Sequence, residues 1–177
     1  MKTSLHHLII AALTTAFAAT IATSAAQDWP GYLFDNSHSS HNTLATAITP
    51  ANASGLVEDW SFIDPQPAPG QPNAGLYSSP TVVGGTVYIG SNTGNFYALS
   101  EATGAVLWQQ MLGFTTATTC GSGHGVTSTA TLAADPVTGT LTVYVGGGDG
   151  YLYALDAATG NIVFRVFVTD VGTTQNT

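Results

Sequence analysis

Positive charge is almost absent from this sequence. Two of its 177 residues are Lys or Arg, against 10 Asp and Glu, which gives a formal net charge of −8. Proteins that bind nucleic acid or anionic membranes need many cations to neutralise phosphates. The sequence therefore excludes nucleic acid and an anionic membrane surface as partners of this chain.

A clean membrane-spanning run is lacking as well. The apolar stretch Leu8–Ala22 follows Lys2 and is diluted by threonines, whereas a spanning helix needs about 20 predominantly apolar residues. With small residues before Gln27, this pattern is typical of a secretory signal peptide. We expect cleavage after Ala26 and a periplasmic or secreted protein, with an uncleaved membrane anchor as the alternative.

Cysteine occurs once, at Cys120. In an exported chain a single cysteine predicts either a disulfide to a cysteine elsewhere, which we favour, or a reactive thiol. Cys120 and His124 do not have the C-x-x-C-H spacing of covalent haem attachment. This chain therefore has no haem motif.

One stretch of the sequence occurs twice. Val143–Val168 predicts three antiparallel strands joined by tight turns, because β-branched and aromatic runs alternate with Gly- and Asp-rich segments. The same pattern occurs at a constant offset of 56 residues, from 87 to 143, 99 to 155 and 108 to 164. A fourth, innermost strand precedes each copy, since Ser78–Val82 matches Ser128–Leu132 at an offset of 50.

Four strands in each copy at a nearly fixed period are typical of propeller blades. The sequence therefore predicts an all-β fold, a β-propeller of four-stranded antiparallel blades, with two blades present at 76–112 and 125–168. The expected organisation is a signal peptide at 1–26, a loop region at 27–75 that holds a strand at 56–62 and a Pro-rich linker at 64–72, and the incomplete propeller at 76–177.

The second turn and outer strand of each copy resemble the tryptophan-docking repeat of propellers of the pyrroloquinoline quinone (PQQ) type. That repeat has Ala, then Thr-Gly, then Trp at the eleventh position, and the matching residues are Ala98, Gly104 and Trp108, and Ala154, Gly160 and Phe164. Ser100 replaces a usual Asp and Phe164 a usual Trp. The resemblance implies that the indole of one blade packs beside the Gly of its neighbour, and Trp60 is a further structural aromatic of this kind.

The resemblance also implies a function. It suggests the N-terminal part of an exported PQQ-dependent alcohol dehydrogenase-like quinoprotein, an oxidoreductase that uses PQQ and calcium on a small alcohol. The alternative is a non-catalytic PQQ-like propeller that serves as a binding or assembly scaffold. One fold supports both.

Few residues qualify as ligands of such a cofactor. The candidates for lining the central channel are Ser79, Thr127, Ser128 and His124. None of them is acidic, so the sequence identifies no catalytic base and no calcium ligand. His38 and His41 lie in a polar loop without a third ligand nearby, and we expect no metal site there.

Two blades are too few to close a ring, because propellers have about 4–8. The resemblance implies that strand 56–62 becomes the outer strand of the last blade and closes the ring. We therefore expect the chain to be a fragment of a larger, eight-bladed propeller. The two-blade product alone should be inactive, and its exposed strand edges should lead to self-association unless the C-terminal blades cover them.

Overall fold

The computed structural model describes residues 28–45, 47–66, 75–115 and 124–168. Within these ranges the chain forms two four-stranded sheets and one short 3-10 helix, Ala53–Gly55. No helix in the described ranges is long and apolar enough to cross a membrane. The predicted signal peptide, Cys120 and most of the Pro-rich linker lie outside the described residues.

Each sheet is one antiparallel meander, with its strands hydrogen-bonded in chain order. The strands of blade 1 are β1 Thr81–Val83, β2 Thr86–Gly90, β3 Asn95–Ser100 and β4 Val106–Met111. Those of blade 2 are β5 Thr131–Ala134, β6 Leu141–Gly146, β7 Tyr151–Asp156 and β8 Ile162–Phe167. The all-β fold with two four-stranded propeller blades is confirmed.

The repeat extends to irregularities of the backbone. In blade 1 the pairing of β3 with β4 shifts register between Ala98 and Leu99, and in blade 2 the pairing of β7 with β8 shifts between Ala154 and Leu155. An extra residue on one strand increases the local twist of a sheet. The two blades therefore share a bulge as well as a strand order.

The main core lies between the two blades. Alternate residues of a strand face opposite sides of a sheet, so one face of blade 1 packs against blade 2 and the opposite face packs against a different segment. The interblade core contains Tyr88, Phe96, Ala98, Leu112, Val126, Ala130, Leu132, Val143, Val145, Tyr153, Leu155 and Ala157. On the opposite face of blade 1, Trp60 and Phe62 cover Val87, Tyr97 and Leu99.

The prediction that residues 56–62 form a ring-closing strand stays a prediction, because no described residues form the blade that they would close. The segment is not part of either sheet, and no described residue forms a strand ladder with it. A strand requires a hydrogen-bonded neighbour, and this segment instead contacts blade 1 through its side chains, Trp60 and Phe62. We call residues 56–64 the strap.

The innermost strands are shorter than predicted. They begin at Thr81 and Thr131 rather than at Ser78 and Ser128. In blade 1 the preceding residue is Pro80, which has no N–H to donate to a ladder. In blade 2 the carbonyl of Ala130 accepts a hydrogen bond from Thr81 Oγ1 of blade 1 at 2.8 Å. The channel candidates Ser79, Thr127 and Ser128 thus precede the inner strands.

The N-terminal residues that were predicted as loop lie along the inner edges of both blades. Trp29 exchanges two backbone hydrogen bonds with Val82 of β1, at 2.6 and 2.9 Å, and the N–H of Leu132 donates to the carbonyl of Pro30 at 3.1 Å. The backbone N–H of Gly84 donates to Asp28 Oδ1 at 2.9 Å. This segment therefore ties blade 1 to blade 2 along their first strands.

Candidate functional site

The clearest specific contact between the two blades is the docking of an indole on a turn that contains a glycine. Trp108 of β4 lies against Gly160 of blade 2, so that a Cβ built on Gly160 would stand 2.6 Å from Cε3 of the ring. Trp108 Nε1 donates to the carbonyl of Ala157 at 3.0 Å. Gly160 also has φ +74°, a conformation that suits glycine. Both space and backbone conformation therefore require glycine there.

The strap repeats this geometry on blade 1. A Cβ built on Gly104, which has φ +69°, would stand 2.6 Å from Cε3 of Trp60. Trp60 Nε1 donates to the carbonyl of Glu101 at 2.7 Å. Gly104 and Glu101 are the repeat equivalents of Gly160 and Ala157. The strap thus provides blade 1 with a docked indole, as β4 provides one for blade 2.

The third member of the series is Phe164 on β8. It is 43% exposed, and its ring lies 6.5 Å from that of Tyr144 of its own blade. A phenylalanine has no N–H to donate. In the described part of the chain, no glycine turn of another blade lies against it.

A buried carboxylate fixes the other end of the strap. Asp64 is 4% exposed and accepts hydrogen bonds from the hydroxyls of Tyr97, at 2.7 Å, Thr93, at 2.6 Å, and Ser91. The backbone N–H of Gln66 is a fourth donor, at 2.8 Å. These donors replace the hydrogen bonds from water that the carboxylate loses when it is buried.

The protonation of this cluster follows from the same contacts. Burial raises the pKa of Asp64, but the hydrogen bonds from Ser91, Thr93 and Tyr97 lower it by more, so the pKa lies below its ordinary value. The pKa of Tyr97 is raised by its burial and then by Asp64. Asp64 is therefore an anion, and Tyr97 a neutral donor, at neutral pH.

Blade 2 satisfies the equivalent tyrosine from within. Tyr153 Oη donates to Asp149 Oδ2 at 2.7 Å, and Asp149 belongs to the turn between β6 and β7 of the same blade. The repeat equivalent of Asp149 in blade 1 is Thr93. Blade 1 thus lacks its own carboxylate and takes one from the strap. Sequence reasoning missed Asp64, which preceded a proline and was assigned to the linker.

Of the hydroxyls predicted to line a channel, that of Ser128 has structural contacts. Ser128 Oγ donates to the carbonyl of Gly146 at 2.9 Å and accepts from its N–H at 3.0 Å. Ser78 makes the same pair of bonds with Gly90, at 3.1 and 2.9 Å. Ser79 and Thr127 are exposed, and the backbone N–H of Ser79 donates to Thr129 Oγ1 at 3.3 Å. Ser128 is therefore a tie between two strands of its blade.

His124 lies at the end of the blades that holds Asp64. Its backbone exchanges two hydrogen bonds of 2.9 Å with Thr115, and its side chain is half-buried. The next residue, Gly125, donates its N–H to Asn92 Oδ1 at 3.2 Å. Because Asn92 lies between Ser91 and Thr93, the residue after His124 contacts the same turn that binds Asp64.

A family model described as "PQQ: Glucose/ethanol/alcohol dehydrogenase, beta-propeller domain" matches residues 29–169. The chain belongs to this PQQ propeller family. The match confirms the resemblance that rests on the docking repeat, and the two blades are PQQ-type blades.

Two solved structures are similar to this PQQ-type chain. The quinohemoprotein alcohol dehydrogenase from Comamonas testosteroni is 24% identical with a TM-score of 0.56, over 80% of this chain and 19% of that protein. BamB from Moraxella catarrhalis is 30% identical with a TM-score of 0.39, over 49% of this chain and 23% of that protein. The chain spans less than a quarter of either protein. No protein with a curated description matches it.

The described residues do not form the PQQ and calcium site that the family implies. Calcium needs about 6–8 oxygen ligands, several of them carboxylates. Among the described residues, no group of three or more His, Cys, Asp or Glu is placed to hold a metal ion. The hydroxyls of Ser78 and Ser128 are already used within the blades. We assign no catalytic residue and no calcium ligand among the described residues.

Proposed function

We propose that this chain forms two blades and the ring-closing strap of an exported PQQ-dependent quinoprotein that resembles the alcohol dehydrogenases. The observation that carries the proposal is the match of residues 29–169 to the propeller domain of PQQ dehydrogenases. The substrate class that follows is a small alcohol, and the cofactors are PQQ and calcium.

The docking contacts support a larger ring. Trp60 lies on Gly104 as Trp108 lies on Gly160, so the strap occupies the place of the outer strand of a preceding blade. The inner strands of that blade are absent from the described residues. A ring of about 4–8 blades accounts for this arrangement, with further blades between Phe164 and the strap. Ring closure by residues 56–62 remains a prediction.

The role of these two blades in such an enzyme is to form a rigid part of the propeller ring. Interblade packing, the Trp108 dock and the serine ties fix the inner strands relative to each other. Catalytic and calcium-binding residues then come from outside the described part of this chain. Two blades also do not close a channel, so we expect residues 27–177 alone to have no dehydrogenase activity.

The activity of the native protein tests the proposal. We would capture the protein from its source cells with an antibody to residues 74–112, reconstitute it with PQQ and calcium, and measure dye reduction with a panel of small alcohols. We expect alcohol-dependent reduction by the captured protein and none by recombinant residues 27–177. No reduction by the captured protein, or equal reduction by the recombinant chain, would contradict the proposal.

A non-catalytic propeller is the second candidate. It is favoured by the structural use of Ser78 and Ser128 and by the lack of a metal-binding group among the described residues. The two candidates differ in cofactor binding: a scaffold should show no quinone absorbance after incubation with PQQ and calcium, while the dehydrogenase should retain one quinone per chain.

A further inference from the structure

A tryptophan docks on a glycine both where the strap meets blade 1 and where β4 meets blade 2. The two junctions differ four residues after the tryptophan. Four residues after Trp60 the strap ends in Asp64, and four residues after Trp108 the equivalent position is Leu112. Leu112 is fully buried in the interblade core together with Tyr153. One junction is thus closed by a carboxylate and the other by an apolar side chain.

The turns that contact Asp64 and Leu112 also differ in polarity. Blade 1 offers Asp64 three hydroxyls, from Ser91, Thr93 and Tyr97. The equivalent positions of blade 2 are Gly147, Asp149 and Tyr153. The backbone N–H of Gly148 there donates to the carbonyl of Leu112 at 3.0 Å. Blade 2 thus offers a single hydroxyl, and Asp149 already accepts its hydrogen bond.

Exchanging the two ends would be costly in both directions. A carboxylate in the place of Leu112 would meet the partly buried Asp149 and find no free hydroxyl, and two neighbouring like charges repel. A leucine in the place of Asp64 would leave the hydroxyls of Ser91, Thr93 and Tyr97 without their acceptor, which is also unfavourable in a buried site. The Trp–Gly contact cannot discriminate, because it is the same at both junctions.

We propose that Asp64 and the hydroxyls of Ser91, Thr93 and Tyr97 form a polar key that directs the strap to blade 1 and away from blade 2. Repeat proteins with near-identical junctions need such a device, since attraction alone does not specify a register. The polar key concerns the recognition of one segment of this chain by another. It therefore holds for a dehydrogenase and for a scaffold.

Hydrogen exchange at the tryptophan indoles measures the docking of the strap. In the ¹⁵N-labelled mature chain, the Nε1–H of Trp60 is protected by its bond to Glu101, and that of Trp108 by its bond to Ala157. Protection at Trp60 reports the strap, and protection at Trp108 reports the interblade contact as an internal control.

Three variants and one control variant test the polar key. Asp64→Leu and Thr93→Asp should each lower the protection of Trp60 about 10- to 100-fold while leaving Trp108 unchanged. Asp59→Leu, the same kind of change at an exposed site of the strap, should leave both indoles as they are. The double variant Asp64→Leu/Thr93→Asp recreates the arrangement of blade 2, and Trp60 should recover protection relative to Thr93→Asp alone.

The recovery in the double variant is the decisive result, because a merely structural defect would accumulate. If the two changes lower the protection of Trp60 additively, or if Asp64→Leu leaves it at the wild-type value, the proposal is wrong. If Thr93→Asp lowers protection at Trp108 as strongly as at Trp60, and the double variant does not restore both, the discrimination does not reside in these residues and the proposal also fails.

Discussion

Adding one methyl group at Gly160 tests whether indole docking holds the two blades together. In Gly160→Ala the new Cβ would lie 2.6 Å from Cε3 of Trp108, well inside van der Waals contact. The obstacle is an aromatic ring held by an interblade hydrogen bond of 3.0 Å. The ring must move, and the hydrogen bond to Ala157 is then lost.

The magnitude has two parts. An L-residue held in the left-handed region costs about 1–2 kcal/mol, and Gly160 has φ +74°. Loss of one intramolecular hydrogen bond costs about 0.5–1.5 kcal/mol, and displacement of the ring adds lost packing. We expect Gly160→Ala to lower the free energy of unfolding by about 3 kcal/mol, a large share of the about 5–15 kcal/mol typical of a domain.

Gly139→Ala is the matched control. Gly139 has φ +72°, and no atom lies within 4 Å of a Cβ built there, so this variant carries the conformational cost alone. Urea unfolding of the mature chain, followed by circular dichroism, gives both free energies. The reasoning predicts a loss from Gly160→Ala that exceeds that from Gly139→Ala by at least about 1 kcal/mol. Equal losses of unfolding free energy would show that the docking of Trp108 does not require the absence of a Cβ at Gly160.

Three further predictions follow from the strap and the N-terminus. Trp60→Phe keeps most of the apolar area but loses the bond to Glu101, so urea unfolding should show about 1 kcal/mol less stability, and no change would contradict that hydrogen bond. Because the pKa of Asp64 is depressed in the folded chain, its stabilisation is complete above its ordinary pKa of 3.8 and is lost as the pH falls through the lowered value. Asp64→Asn should therefore flatten the acid limb of the stability curve, and an unaltered limb would count against the assignment. N-terminal sequencing of the exported protein should begin at Gln27, whereas a start at Met1 would support the membrane anchor.

The repeat made the fold predictable. Because each copy encodes four strands with the same turn glycines, the spacing indicated blades, and the resemblance to the PQQ-type repeat indicated the docking of Trp108 beside a glycine of the neighbouring blade. The bulge after Ala98 and Ala154 was not visible, since no residue type marks it. The early start predicted for β1 was wrong, because Pro80 has no N–H to donate to a strand ladder.

The Asp64 cluster could not be read from the sequence. Its donors Ser91, Thr93 and Tyr97 are separated from it by 27, 29 and 33 residues, and only the folded blade brings them together. The sequence held one signal of the cluster: the β2–β3 turn of blade 1 has no carboxylate to accept the hydrogen bond of Tyr97. Comparing Thr93 with Asp149 in the aligned repeats shows that the carboxylate is missing and must come from elsewhere.

The intact mass of the native exported protein tests the central claim most directly. That claim is that these two blades and the strap belong to a larger PQQ-type ring. Mass spectrometry of the protein captured from its source cells should give a value several-fold above the 18.1 kDa of this chain. A mass at or just below 18.1 kDa would contradict the claim, because the strap would then have no further blade of its own chain to close.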